Sequence, residues 1–146
     1  MLKKYKIGFN LYGAILFAVI MLPNIIWALC PAANDILRKQ SNTPSLDIAV
    51  TVFQVLLIIS LIIIVYKDNK RKKLFYLFAL IPAAAYYVCW FIYYFGTVTN
   101  FLLLLMALLP GLAFVSFSIL DKNYLATAFS IVFTVLHIIS TCINFL

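Results

Sequence analysis

Residues 47–66 read DIAVTVFQVLLIISLIIIVY, and residues 67–73 then read KDNKRKK. The first stretch is twenty residues long and carries one charge, Asp47, at its start. At about 1.5 Å of rise per residue such a helix covers about 30 Å, the thickness of a bilayer's hydrocarbon core. The second stretch holds five cations and one acid in seven residues, a density that hydrocarbon does not accept. The junction therefore marks a spanning helix arriving at a membrane surface.

The same length test selects four more stretches, 7–29, 73–95, 100–120 and 125–146. The expected fold is an all-α polytopic membrane bundle of five transmembrane helices, a single domain over 1–146. No linker is long enough to hold a soluble domain. Composition agrees: 66% of the 146 residues are hydrophobic, 10% are charged, Glu is absent, and mean hydropathy is +1.12. Soluble domains run near 45–50% apolar and about a quarter charged. A soluble enzyme, a disordered tail and a nucleic-acid partner are excluded, despite a net charge of +7. The lysines ahead of the first stretch resemble a signal-peptide start. The apolar run outlasts a typical h-region of about 7–15 residues, however, and Cys30-Pro31 lacks an A-x-A-like cleavage pattern. It reads as the first span.

Charge placement sets the expected orientation. Lys3, Lys4, Lys6, the five cations of 67–73 and Lys122 fall on one side, nine in all, against Arg38 and Lys39 on the other. The positive-inside rule then places the N-terminus in the cytoplasm and the C-terminus outside. Trp27, Tyr93, Tyr94 and Phe95 sit at the outer boundary, and Tyr5, Tyr66 and Tyr124 at the inner one, as interface aromatics do. The 67–73 run reads first as a topology signal, with attraction to anionic lipid as its second use.

Connections are short except 30–46. Pro31 to Asp35 stops helix 1, residues 35–40 offer one interfacial helical turn, and Thr43-Pro44 starts helix 2 with Asp47 near its positive dipole end. Two readings of this loop stand: a lid over the outer mouth, or a crossover between non-adjacent helices. The tight loops elsewhere predict that helices 2–3, 3–4 and 4–5 are antiparallel neighbours.

Polar residues inside the spans are where function is sought, because each is unfavourable there without a partner. On helix 5, Thr127, Ser130, Thr134, His137, Thr141 and Asn144 are spaced 3, 4, 3, 4, 3, one continuous stripe. Small hydroxylated stripes pack helices together, and that reading covers most of this one. His137, the only histidine, lies roughly 14 Å below the C-terminal end and is open to either a structural or a ligand-binding role. Asn24, Gln54, Tyr86, Tyr87 and Trp90 fall at similar depth. Asn24, Gln54, Tyr87, Trp90, His137 and Thr141 are the candidate ligand-binding residues of an outward-facing polar-aromatic pocket. Pro23, Pro82 and Pro110 would kink three helices.

Several chemistries lack their residues. No buried Asp, Glu, Lys or Arg is expected, so no carboxylate relay and no catalytic residue is assigned. One histidine without a Cys/His/Asp cluster does not build a typical zinc or haem site, so no metal or cofactor is expected. P-loop, G-x-S-x-G, H-E-x-x-H and C-x-x-C patterns are missing. Cys30, Cys89 and Cys142 read as free thiols, with a Cys30–Cys142 bridge as the alternative.

The runs Met21-Leu22-Pro23-Asn24-Ile25-Ile26, residues 86–95 (YYVCWFIYYF) and residues 133–139 (FTVLHII) resemble a group of small five-helix membrane proteins of Gram-positive bacteria, which has Gly where Leu136 stands. The resemblance covers most of the chain. It implies a bacterial plasma membrane and a five-helix body, and no activity. The five-span size is also similar to the tryptophan-rich sensory/translocator proteins, but their tryptophan- and proline-rich first loop is missing here.

Two functions compete. The first is binding or transport of a small molecule or lipid through the outer pocket. The second is an accessory or immunity-type protein whose helix 5 stripe is a face for a membrane partner or a second copy. An intramembrane enzyme ranks third, because a lone histidine lacks a second catalytic group.

Overall fold

The computed structural model describes residues 4–67 and 76–146. Its elements in chain order are β1 (Tyr5–Ile7), α1 (Leu11–Leu29), a 3-10 turn at Ile36–Arg38, α2 (Pro44–Ile63), β2 (Ile64–Tyr66), α3 (Leu77–Tyr94), α4 (Asn100–Leu120) and α5 (Tyr124–Phe145). All five α-helices are long and apolar enough to cross a membrane. The chain is an all-α, multi-pass membrane bundle. The charged run at 68–73 lies outside the described residues, as does the expected start of helix 3 at 73.

Two helix ends differ from the sequence reading. Residues 7–10 are not helical, because Asn10 is the N-cap of α1 and its Oδ1 accepts from the Gly13 amide at 3.2 Å. Residues 64–66 leave α2 as a strand, in which Tyr5 pairs with Tyr66, Lys6 with Val65 and Ile7 with Ile64. The physical reason is the end of α2, whose last carbonyls have no helical donor. The N-terminal segment supplies donors: Gly8 N–H reaches the Ile63 carbonyl at 2.9 Å and Asn10 N–H the Ile62 carbonyl at 2.8 Å. The β-branched and aromatic Ile64-Val65-Tyr66 suit the extended form.

Around the bundle the order of packing is α1, α2, α5, α4, α3 and back to α1, with α1 the most lightly held. The expectation that α2 and α3 are neighbours is therefore wrong. Asn123 supplies part of the reason. Fully buried between α4 and α5, it donates Nδ2 to the carbonyls of Ser60 (2.7 Å) and Ile64 (2.9 Å), while its Oδ1 caps α5 at the Ala126 amide. That side chain ties the start of α5 to the end of α2, the helix that packs beside α2 in place of α3.

The prolines do not interrupt their helices: α1, α3 and α4 run through Pro23, Pro82 and Pro110. Pro23 has no N–H for the carbonyl four residues earlier, that of Val19. The Tyr87 hydroxyl of α3 donates to it at 2.6 Å. Next to Pro110, Gly111 lets α4 lie against α5 so closely that a Cβ there would overlap the Thr134 side chain. The helix 5 stripe faces this contact. Ser130, Thr134 and Thr141 are buried, Ser130 and Thr134 return their hydroxyls to the carbonyls four residues back, and Thr127 donates to Ser118 Oγ and to Asn123 O.

Gly111→Ala is expected to lose about 1–2 kcal/mol net, overpacking of about 1–3 kcal/mol exceeding the helix-propensity gain of up to about 1 kcal/mol. Adding Thr134→Ala removes the Oγ1 and Cγ2 overlaps but leaves its Cβ 2.7 Å from the new methyl, so only part of that loss should return in a thermal or denaturant titration. A neutral Gly111→Ala would show that α4 and α5 are not in contact there.

Candidate functional site

The 30–46 loop builds a roof over one end of the bundle. Its centre is Asp35, whose Oδ2 accepts from Trp27 Nε1 (2.9 Å) and Arg38 Nε (3.0 Å), while Oδ1 accepts from the Tyr93 hydroxyl (2.8 Å). Arg38 in turn donates to the Trp27 and Ala28 carbonyls at 2.8 and 3.1 Å, satisfying the last turn of α1, and its guanidinium lies 4.9 Å from the Trp27 ring centroid. The Tyr94 hydroxyl donates to the Cys30 carbonyl at 2.7 Å. At the far end Asn144 accepts from the Asn42 amide (2.7 Å) and donates to Thr43 Oγ1 (2.9 Å). Thr43 is the N-cap of α2 by position only, since its hydroxyl takes that bond instead of capping the helix. Ser140 donates to Asp47 Oδ1 at 2.8 Å and ties α5 to α2. Of the two readings of the loop, the structure shows the covering one; α1 and α2 touch each other beneath it.

At this end of the bundle lie two partly open cavities that share Asn24, Tyr86 and His137 in their walls, one of them bounded by the loop. The deeper, of about 270 Å³, is completed by Gln54 and Val50 of α2, Ile20 and Met21 of α1, Pro110 and Phe114 of α4, and Phe133 of α5. The shallower, of about 210 Å³, is completed by Trp27, Trp90, Thr141, Phe145, Leu103, Met106, Ala107 and Leu37, the last from the roof itself. No Lys, Arg, Asp or Glu stands in either wall.

Of the six residues singled out from sequence, Asn24 and His137 line both cavities, Gln54 the deeper, and Trp90 and Thr141 the shallower. Tyr87 lines neither; its hydroxyl is taken by the carbonyl that Pro23 orphans. Tyr86 stands in its place. Its hydroxyl accepts from Asn24 Nδ2 at 2.9 Å, and its ring meets Trp90 edge-on at 6.2 Å. A signal existed for it. Ala79, Ala83, Tyr86, Trp90 and Tyr93 are spaced 4, 3, 4, 3 and form the buried face of α3, from which Tyr87 is rotated away.

The polar groups of these walls are unevenly satisfied. Asn24 bonds the Ile20 carbonyl as well as Tyr86, whereas among the described residues Gln54 Nε2 reaches only Met21 Sδ, at 3.8 Å. His137 stacks on Phe133, with centroids 5.4 Å apart and planes 14° apart, and takes part in no hydrogen bond among the described residues. Trp90 is 5% exposed, and its Nε1 is the one buried side-chain polar atom among the described residues that makes no hydrogen bond of full geometry, although it faces the Tyr86 hydroxyl.

At the opposite end the structure overturns the expectation of no buried carboxylate. Asp121, 2% exposed in the α4–α5 turn, accepts from Asn10 Nδ2 (2.8 Å) and the Tyr76 hydroxyl (3.0 Å). These donors at the helix ends help to make its burial tolerable. Cys30, Cys89 and Cys142 are all free thiols, and no cluster of three His, Cys, Asp or Glu forms among the described residues.

The fold and these walls define a class, a multi-pass helical membrane protein with a roofed, uncharged interior cavity. The chain matches no family model, no curated protein and no solved structure.

Asp35→Ala removes one acceptor from three donors at once. Hydrogen exchange across residues 34–40 is expected to speed up on the order of tenfold or more, since each charge-assisted bond contributes about 1.5–3 kcal/mol. Unchanged exchange would show that this carboxylate does not hold the roof.

Proposed function

We propose that the chain binds a small uncharged aromatic molecule in the roofed cavities, with Trp90 Nε1 donating to an acceptor on that ligand. The observation that carries this reading is the buried indole N–H in a cavity wall, which faces the Tyr86 hydroxyl but makes no hydrogen bond of full geometry. A buried donor left wholly unpaired costs about 1–3 kcal/mol, and a ligand acceptor better placed than the Tyr86 hydroxyl would recover part of that. The absence of charged walls favours a neutral ligand. The Phe133, Tyr86 and Trp90 rings offer stacking and edge contacts, and His137 and Gln54 retain hydrogen-bonding capacity to orient it. Each cavity is smaller than the roughly 300–1,000 Å³ usual for drug-sized ligands, so the occupant is correspondingly small. Transport follows from the same site if the Asp35 latch opens. The accessory-protein reading draws less support, because Ser130, Thr134 and Thr141 of the helix 5 stripe are packed inside the bundle and offer no face to a partner.

The positive-inside argument adds orientation, with the roof facing outward and the N-terminus in the cytoplasm; a bacterial plasma membrane as host is what the resemblance to the Gram-positive group implies. Cys30 is exposed at the roofed end, so a membrane-impermeant maleimide should label it in intact cells. Labelling that appears only after lysis would reverse the orientation.

The binding claim is tested with pairs of matched shape, such as acetophenone and ethylbenzene, by thermal stabilisation of the purified protein. The carbonyl compound should bind about five- to tenfold more tightly, and Trp90→Phe should abolish that preference. Equal affinity within pairs, or stabilisation by neither class, would sink the proposal.

A further inference from the structure

A second site lies at the other end of the bundle and shares no residue with the roofed cavities. Between the β1–β2 pair and the first turns of α5 runs a groove of about 480 Å³, walled by Lys4, Tyr5, Tyr66, Lys122, Tyr124 and Leu125. Its backbone is well fixed. The Lys67 amide donates to the Lys4 carbonyl at 3.0 Å, and the Tyr5 hydroxyl donates to the Lys122 carbonyl at 3.0 Å. Lys122 adopts a left-handed backbone (φ 54°), uncommon for a side chain of this size, and its Nζ lies 5.3 Å from the centroid of the Tyr66 ring. The Tyr5 ring meets Tyr66 edge-on at 5.7 Å, completing an aromatic wall behind that ammonium.

The charge in this groove is of one sign. Lys4 and Lys122 form no ion pair among the described residues, where the sole salt bridge is Arg38–Asp35. The neighbouring acid, Asp121, is buried and held by Asn10 and Tyr76. The opposite wall is apolar: Leu125 and Ala128 are exposed on α5, a helix long and apolar enough to span the bilayer. The groove thus begins among cations and tyrosines at the helix ends, where headgroups lie, and continues along a hydrocarbon-facing surface. That arrangement fits an amphiphile with an anionic head and an apolar tail.

We propose that this groove binds an anionic phospholipid, its phosphate between Lys4 and Lys122 and an acyl chain along Leu125 and Ala128. A basic pocket against spanning helices is a recurrent mode of lipid recognition, with each cation near the surface contributing about fivefold in affinity. The apolar wall separates this ligand from a free phosphate, which would gain nothing from it.

The test uses the purified full chain, titrated with phosphatidylglycerol or phosphatidylcholine of identical acyl chains and read by native mass spectrometry. Phosphatidylglycerol should be preferred by about tenfold or more, and Lys4→Gln and Lys122→Asn should each reduce the preference about fivefold. Lys39→Gln, at the roofed end, should leave it unchanged, and soluble glycerol phosphate should not displace the lipid. Lys4 is exposed near the chain start, so its variant keeps the test readable if Lys122→Asn does not fold. Equal binding of the two lipids, an equal loss with Lys39→Gln, or displacement by glycerol phosphate would each overturn the proposal, the last by making this a free-phosphate site.

Discussion

In hydrocarbon a polar group has only the protein to turn to, and this bundle is organised around that constraint. Pro23 leaves the Val19 carbonyl without a helical donor, and Tyr87 crosses from α3 to supply one. The hydroxyls of Ser130 and Thr134 fold back onto their own helix, so they can be buried against α4. Asn123 is fully buried because all three of its side-chain bonds are made, and in making them it ties α5 to the end of α2. Trp90 is the departure. Among the described residues its Nε1 alone is buried without a hydrogen bond of full geometry, facing the Tyr86 hydroxyl in a cavity wall.

The two ends of the bundle use charge differently. At the roofed end one carboxylate, Asp35, gathers an indole, a phenol and a guanidinium, so the polar atoms of the loop close the cavity instead of entering it. Leu37 is what the roof presents downward. At the strand end the acid is turned inward and two lysines are left to the surface, beside tyrosines and an apolar helix face. One end carries pockets with uncharged walls, the other a groove with lysines and tyrosines.

Much of this was legible in the sequence. Helix lengths followed from runs of about twenty apolar residues, and the common depth of Asn24, Gln54 and His137 pointed to a shared cavity, which the structure contains. What was not legible depended on contacts distant in sequence. Residues 64–66 are as apolar as the helix before them, and only pairing with Tyr5–Ile7 makes them a strand. The tie between α5 and α2 runs through Asn123, which in sequence is one more turn asparagine. Tyr87 looked equivalent to Tyr86 by composition and depth. Its role comes from an orphaned carbonyl on another helix, although the 4, 3, 4, 3 spacing of α3 had already placed Tyr86 with Trp90 and Tyr87 apart from it.

The central claim is that the aromatic face of α3 looks into the bundle and not into lipid. Trp27 and Trp90 are the only tryptophans, so Trp27→Phe leaves Trp90 as the sole indole emitter. Reconstituted into brominated phospholipid, Trp90 should keep most of its fluorescence. Phe91→Trp, in a chain with Trp27 and Trp90 both changed to Phe, should be strongly quenched, because position 91 is 65% exposed on the helix exterior. Quenching of Trp90 as deep as that of position 91 would contradict the account.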